Sequence, residues 1–247
     1  MSVLAINTKS VQIKNGDLGI DAYLAMPQED GTYPAIIVVQ EIFGVNDHIR
    51  DVTRRIAQEG YVAISPAIYQ RLAPGFETGY TSESVTIGRE YKNQTLADEL
   101  LSDIQATIDY LYTLPQVQKG VGTIGFCFGG HVVYLTSILD QVKATASFYG
   151  AGITTGTPGG EGTTLERTPE IKGTIYAFFG MQDVSIPATQ VSEIESQLQK
   201  YNIPHQIFRY PNAEHGFFCD ERASYNPSAA QDAWYHVLEL FKTTLKN

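Results

Sequence analysis

Only two cysteines occur in the 247 residues, and one of them stands where a thiol can do chemistry. In GTIGFCFGGH, Gly122 to His131, Cys127 follows a short apolar run and has Gly125 and Gly129 two residues to either side. G-x-C-x-G is the spacing of a sharp strand-to-helix turn that exposes its central side chain in strained backbone geometry, where flanking side chains would collide with adjacent elements. A helix beginning at the next residue aims its N-terminal amides and positive dipole end at the sulfur, which favours thiolate. The amide of Phe128 is then placed to donate to an oxyanion. The competing reading is a small core residue whose glycine neighbours permit close packing.

A thiol nucleophile needs a group that takes its proton and returns it, and imidazole suits that task because it titrates near neutrality. Of five histidines, His215 in PNAEHGFF lies between the strand pattern HQIFRYP and a closing helix. His48, His131, His205 and His236 fall within helix or strand patterns and read as surface or packing residues. Asp183, in FFGMQDVSIP, follows another strand and precedes His215. Taken singly, Asp183 reads as an N-cap for the helix that begins near Pro187, and His215 as a structural loop residue. Together with Cys127 they occur in the order nucleophile, acid, histidine, each beyond a strand. Glu41 ends the apolar run PAIIVVQE, and a carboxylate there is costly unless hydrogen-bonded or protonated. It reads as a further titratable group at the site, a salt-bridged loop carboxylate being the alternative.

The elements that must position these residues alternate between strand and helix. SVQIK and IDAYLAMP flank the Asn-Gly of NGDLG and predict an antiparallel hairpin. PAIIVVQE, YVAISP, VGTIGF, KATASFYG, GTIYAFFG and HQIFRYP predict buried strands. Helices are predicted from Asp47 to Glu59, in a long segment faced by Leu96, Leu100, Ile104, Ile108 and Leu111, in GGHVVYLTSIL, in PATQVSEIESQLQKY, and from about Pro227 to Lys246. A polar, glycine-containing excursion covers Tyr69 to about Tyr91, and a Gly/Thr/Pro-rich loop, either a lid or a solvated connection, covers Gly152 to Pro169. The fold class is α/β: a mostly parallel central sheet with helices on both faces and an N-terminal antiparallel hairpin, in a single domain over residues 1–247. Ligands of such sheets bind beyond the carboxyl ends of the strands, where all four residues above are expected.

Composition narrows the function classes. A net charge of −10 without any Lys/Arg cluster disfavours nucleic acid and acidic membranes as partners. With 43% apolar residues, no apolar run reaches bilayer length, and neither a leader pattern nor a cysteine framework suggests export, so a cytoplasmic protein is expected. No His/Cys set has metal-ligand spacing, so neither metal nor organic cofactor is expected.

Five stretches, VVQEIFGVN (Val38 to Asn46), PAIYQRLAPG (Pro66 to Gly75), GFCFGG, FFGMQD and AEHGFF, together resemble the dienelactone hydrolase, or carboxymethylenebutenolidase, family of the α/β-hydrolase superfamily. The resemblance covers most of the chain. It implies Cys127 as nucleophile, His215 as general base and acid, Asp183 as the residue orienting the imidazole, and the amides of Ile42 and Phe128 as the oxyanion hole. Glu41 is implied to hold the resting thiol protonated and to accept its proton when substrate binds. The implied reaction is hydrolysis of an ester or lactone, with dienelactone opening to maleylacetate, by a monomer acting on a small molecule. The family holds a substrate carboxylate with two arginines, one in the excursion and one four residues after the histidine. Here that second position is Cys219, with Arg222 three residues further on, and Arg89, ahead of Tyr91, departs by two residues from the family spacing. Arg89, Tyr91 and Arg71 are the substrate-binding candidates. A short-chain carboxylesterase or thioesterase of other scope, and a non-catalytic ligand-binding or redox-sensing protein using Cys127, are the alternatives.

Overall fold

The structure, a computed structural model, describes residues 3–246. Strand β1 (Ile6–Asn15) and β2 (Leu18–Pro27) form the predicted hairpin around Gly16, whose φ of 60° explains the glycine. The remaining strands are β3 (Tyr33–Val39), β4 (Val62–Pro66), β5 (Val117–Phe126), β6 (Val142–Phe148), β7 (Thr174–Gly180) and β8 (His205–Tyr210). They form one sheet of order β1-β2-β4-β3-β5-β6-β7-β8, antiparallel through β4 by way of the hairpin and parallel from there on.

Both faces of the parallel part are covered, which is why these strands read as continuous apolar runs. Along β3, Ile36 and Val38 point into one core and Ile37 and Val39 into the other. The first core is packed by α1 (Asp47–Gln58), through Ile49, Val52 and Ile56, and by α6 (Pro227–Leu245), through Val237, Leu240 and Phe241. At Gly122 a β-carbon would come within 2.7 Å of Ile36 and 3.0 Å of Phe241, so the missing side chain lets α6 settle on the sheet. The second core is packed by α3 (Ala97–Thr113), through Leu100, Ile104, Ile108 and Leu111, and by α4 (Phe128–Thr136), through Val132 and Val133. Helix α5 (Ala188–Lys200) buries Val191, Ile194 and Leu198.

Three expectations are corrected. The excursion contains a helix, α2 (Ser82–Gln94), that apolar periodicity does not reveal because only Ser84 and Gly88 of its residues are buried. Leu96 is the N-cap of α3 and exposed, so the buried stripe of that helix begins at Leu100. The Gly152 to Pro169 loop ends in a short 3₁₀ turn (Thr164–Glu170), where a capping box of Thr163 and Glu166 and the bond from the Leu165 amide to the Ile153 carbonyl, at 2.9 Å, tie the segment down.

Candidate active site

Cys127 links β5 to α4 with φ 55° and ψ −114°, a conformation that costs a side-chain-bearing residue about 1–3 kcal/mol. The surroundings enforce it. Its amide donates to the Phe148 carbonyl at 3.0 Å. A β-carbon at Gly125 would lie 2.1 Å from the Gly129 carbonyl oxygen, and one at Gly129 2.4 Å from the carbonyl oxygens of Val39 and Gln40. The two glycines are therefore steric requirements of the turn. The sulfur side chain remains half-buried, at the start of α4.

The loops after β7 and β8 bring Asp183 and His215 to the same edge. Gly180 permits this approach, since a β-carbon there would lie 2.3 Å from the Ala213 carbonyl oxygen. His215 Nδ1 and Asp183 Oδ2 are 2.6 Å apart, and the other carboxylate oxygen of Asp183 accepts from the Ser185 amide at 2.7 Å. Asp183 thus spends one oxygen on its own loop and the other on His215 across the edge, while the N-cap of α5 is Pro187. Burial alone would lower the pKa of His215, but the Cys127 sulfur and the bond to Asp183 outweigh it and raise the imidazole to about 10. Both of those groups therefore face the ring, and the Tyr149 ring stands edge-on to it at 5.1 Å.

Glu41, just past β3, is buried and takes a charge-assisted bond from Arg222 Nη1 at 2.9 Å. Gly216, with φ 80°, makes room for that guanidinium, since a β-carbon there would lie 2.3 Å from Arg222 Nη1. The other Glu41 oxygen, Oε2, is buried without a hydrogen-bond partner among the described residues. Arg222 was out of register as a substrate arginine, and the signal that points to it is the need of a buried carboxylate for a cation. Ile42 follows, its carbonyl covered by Gly88 of α2, where a β-carbon would lie 2.3 Å from that oxygen.

The substrate-binding candidates divide. The Arg71 guanidinium is committed to Asp103 of α3, with Nε and Nη2 donating at 3.1 and 2.7 Å, and is not brought against the groups above. Arg89 is exposed on α2 without an ion pair among the described residues. Tyr91 packs against Phe76 at 4.8 Å and Tyr69 at 5.8 Å, and Tyr69 stacks on Phe128. Beside Phe128 lies a cavity of about 250 Å³ lined by Lys92, His131 and residues 152 and 155–159. Lys92, which sequence reasoning passed over, lies 5.7 Å from the centre of the Phe128 ring. His131 and His48 are buried rather than on the surface. Burial, helped by the Lys92 charge, pushes His131 down to about 4, and its neutral ring bonds Thr164 Oγ1 at 2.6 Å.

A mostly parallel sheet with a strained cysteine turn, and an Asp–His pair carried by the loops of later strands, defines an α/β hydrolase. The model of the dienelactone hydrolase family matches residues 20–245. The chain belongs to that family and is a hydrolase. A Synechocystis sp. protein with the provisional name carboxymethylenebutenolidase is 59% identical over 242 residues, spanning 98% of each chain. One from Escherichia coli K12, of the same provisional name, is 34% identical over 232 residues, 90% of this chain and 81% of that one. The crystal structure of a provisionally assigned dienelactone hydrolase from Klebsiella pneumoniae superimposes with a TM-score of 0.88 at 31% identity, covering 96% of this chain and 98% of that one. Among the described residues no helix is long and apolar enough to cross a membrane.

Proposed function

We propose that the protein is a cysteine-dependent ester and lactone hydrolase of the dienelactone type. The observation that carries this reading is the 2.6 Å contact of His215 Nδ1 with Asp183, which leaves the opposite side of the ring to a cysteine held in a strained turn at a helix N-terminus. The Cys127 thiolate attacks the carbonyl carbon, and the amides of Ile42 and Phe128 receive the oxyanion. Collapse breaks the acyl carbon–oxygen bond, His215 protonates the leaving oxygen, and a thioester to Cys127 remains. His215 then takes a proton from water, the hydroxide adds to the thioester, and the thiolate leaves as the acid is released. The unpartnered oxygen of Glu41 supports a role as acceptor of the resting thiol proton.

For dienelactone the ring-opened product is maleylacetate, and its carboxylate would need a cation at the cleft. On this reading Arg89 and Lys92 offer cations without an ion pair among the described residues, Tyr91 offers a hydroxyl, and Arg222 is shared with Glu41. A second reading, a short-chain carboxylesterase or thioesterase, is favoured by the engagement of Arg71 with Asp103 and by Cys219 at the position of the family's second arginine. The deciding measurement is turnover of cis- and trans-dienelactone and of a neutral aryl ester by wild type and Cys127→Ala. Lactone opening lost in the variant supports the first reading. Ester cleavage alone, equally dependent on Cys127, leaves the mechanism and removes dienelactone as substrate. Activity that survives in Cys127→Ala ends the cysteine mechanism.

A further inference from the structure

Three side chains outside the Cys127–His215–Asp183 set meet where the start of α1 faces the turn after His215. His48, Cys219 and Asp220 each offer one donor atom, and the three atoms lie within 4.8 Å of one another. Spacing along the chain conceals this set, because His48 is on an early helix and the other two follow the last strand. In the fold, however, a nitrogen, a thiol and a carboxylate do converge.

A second observation points to a ligand. His48 is only 3% exposed, and its Nε2 is buried without a hydrogen-bond partner among the described residues. Its Nδ1 is 3.9 Å from Asp220 Oδ1, too far for a hydrogen bond. A buried imidazole is ordinarily bonded through at least one nitrogen, and this ring has no hydrogen bond to any described residue, which a ligand would remedy. Edge contacts with Phe126 at 5.9 Å and Phe218 at 6.3 Å fix its orientation. Asp220, whose side chain is 72% exposed, provides both an opening to solvent and a ligand free to swing inward.

We propose that His48, Cys219 and Asp220 bind a thiophilic divalent cation, zinc by preference, with water completing the coordination. Imidazole, thiolate and carboxylate are the donor types that zinc accepts in tetrahedral sites. Metal–ligand lengths of roughly 2.0–2.3 Å require the donors to draw together to roughly 3.3–3.7 Å, for which the exposed Asp220 swings inward and any remaining gap between the buried His48 and Cys219 closes by side-chain rotation. Binding exchanges the Cys219 sulfur–hydrogen bond for a sulfur–metal bond and releases the proton to solvent, without change of oxidation state. The Cys219 amide bonds the Gly216 carbonyl at 3.1 Å and its own carbonyl accepts from Arg222 at 3.2 Å. A cation here therefore staples α1 to the turn that carries His215 and Arg222, and this holds whether or not the catalytic reading is right.

The test uses chelator-treated full-length Cys127→Ala protein, in which Cys219 is the sole thiol. Titration with cadmium is followed by the ultraviolet charge-transfer band of a cadmium thiolate, and with zinc by calorimetry. One equivalent of each is expected to bind, with the cadmium band saturating at that point and Tm rising. Adding His48→Gln or Asp220→Asn is expected to weaken zinc by roughly tenfold or more. Asp220→Asn lies on the surface and is the control for folding. Absence of the cadmium band at one equivalent, or zinc affinity unchanged in both the His48→Gln and Asp220→Asn backgrounds, would overturn the proposal.

Discussion

Two buried carboxylates lie at the strand ends of this molecule, and they are held in opposite ways. Asp183 uses one oxygen for the Ser185 amide and the other for His215 Nδ1. Glu41 uses one oxygen for Arg222 and leaves the other without a partner. Saturated on both sides, Asp183 is fixed in position and can do little beyond orienting the imidazole and favouring its charged form. Glu41 keeps an unused acceptor in a region of low dielectric, where an unpaired oxygen is expensive and a hydrogen-bond donor is welcome. The lesson is that a buried carboxylate's role follows from its unspent oxygens as much as from its counter-ion.

Substitutions can break that comparison, starting with the largest effect. Asp183→Asn replaces the oxygen on His215 Nδ1 or inverts the tautomer, so kcat on a neutral aryl ester is expected to fall by about 10⁴ with Tm little changed. A loss below about tenfold would mean that the Asp–His pair does not orient a base. Arg222→Gln leaves Glu41 buried without its cation and is expected to cost about 3 kcal/mol in urea unfolding. Adding Glu41→Gln should return a large part of that loss, and a double-mutant cycle with no coupling would show that the two groups act separately.

The pH dependence sharpens the Asp183 side. Because the folded-state pKa of His215 is raised to about 10, its protonated form is the one the fold stabilises. Its contribution is complete below the unfolded value of about 6.5 and disappears as pH rises through the folded value. The Tm advantage of wild type over His215→Gln should therefore shrink between about pH 6.5 and 10. In Cys127→Ala the midpoint should move down, since the sulfur is the largest influence raising this pKa. A pH-independent Tm difference would show that His215 is held neutral. The smallest effect is expected at Tyr149, whose hydroxyl is buried without a partner among the described residues. Tyr149→Phe should leave Tm unchanged or raise it by no more than a few degrees, and a clear fall would reveal a bond to ordered water.

Much of the fold was legible because its signals are local. Asn15-Gly16 marks the hairpin, doubly covered strands read as apolar runs, and Ile49, Val52 and Ile56 repeat at helical spacing. Helix α2 escaped because its buried positions are Ser84 and Gly88, and a helix whose deepest contacts are a serine and a glycine has no continuous apolar stripe to read. The substrate-side candidates were the least legible. Arg71 is a substrate-binding candidate in the sequence and the bonded partner of Asp103 in the fold.

What the sequence by itself determined is the cysteine turn, the order Cys127, Asp183, His215, and the alternation that sets them at strand ends, because backbone sterics and side-chain period act over a few residues. Tertiary structure alone decided that Glu41 meets Arg222, that Asp183 bonds the His215 ring instead of capping a helix, and that His48 lies beside Cys219 and Asp220. Those pairings depend on which loops the sheet order brings side by side, and charge and hydrogen bonding act through space, where separation along the chain carries no information.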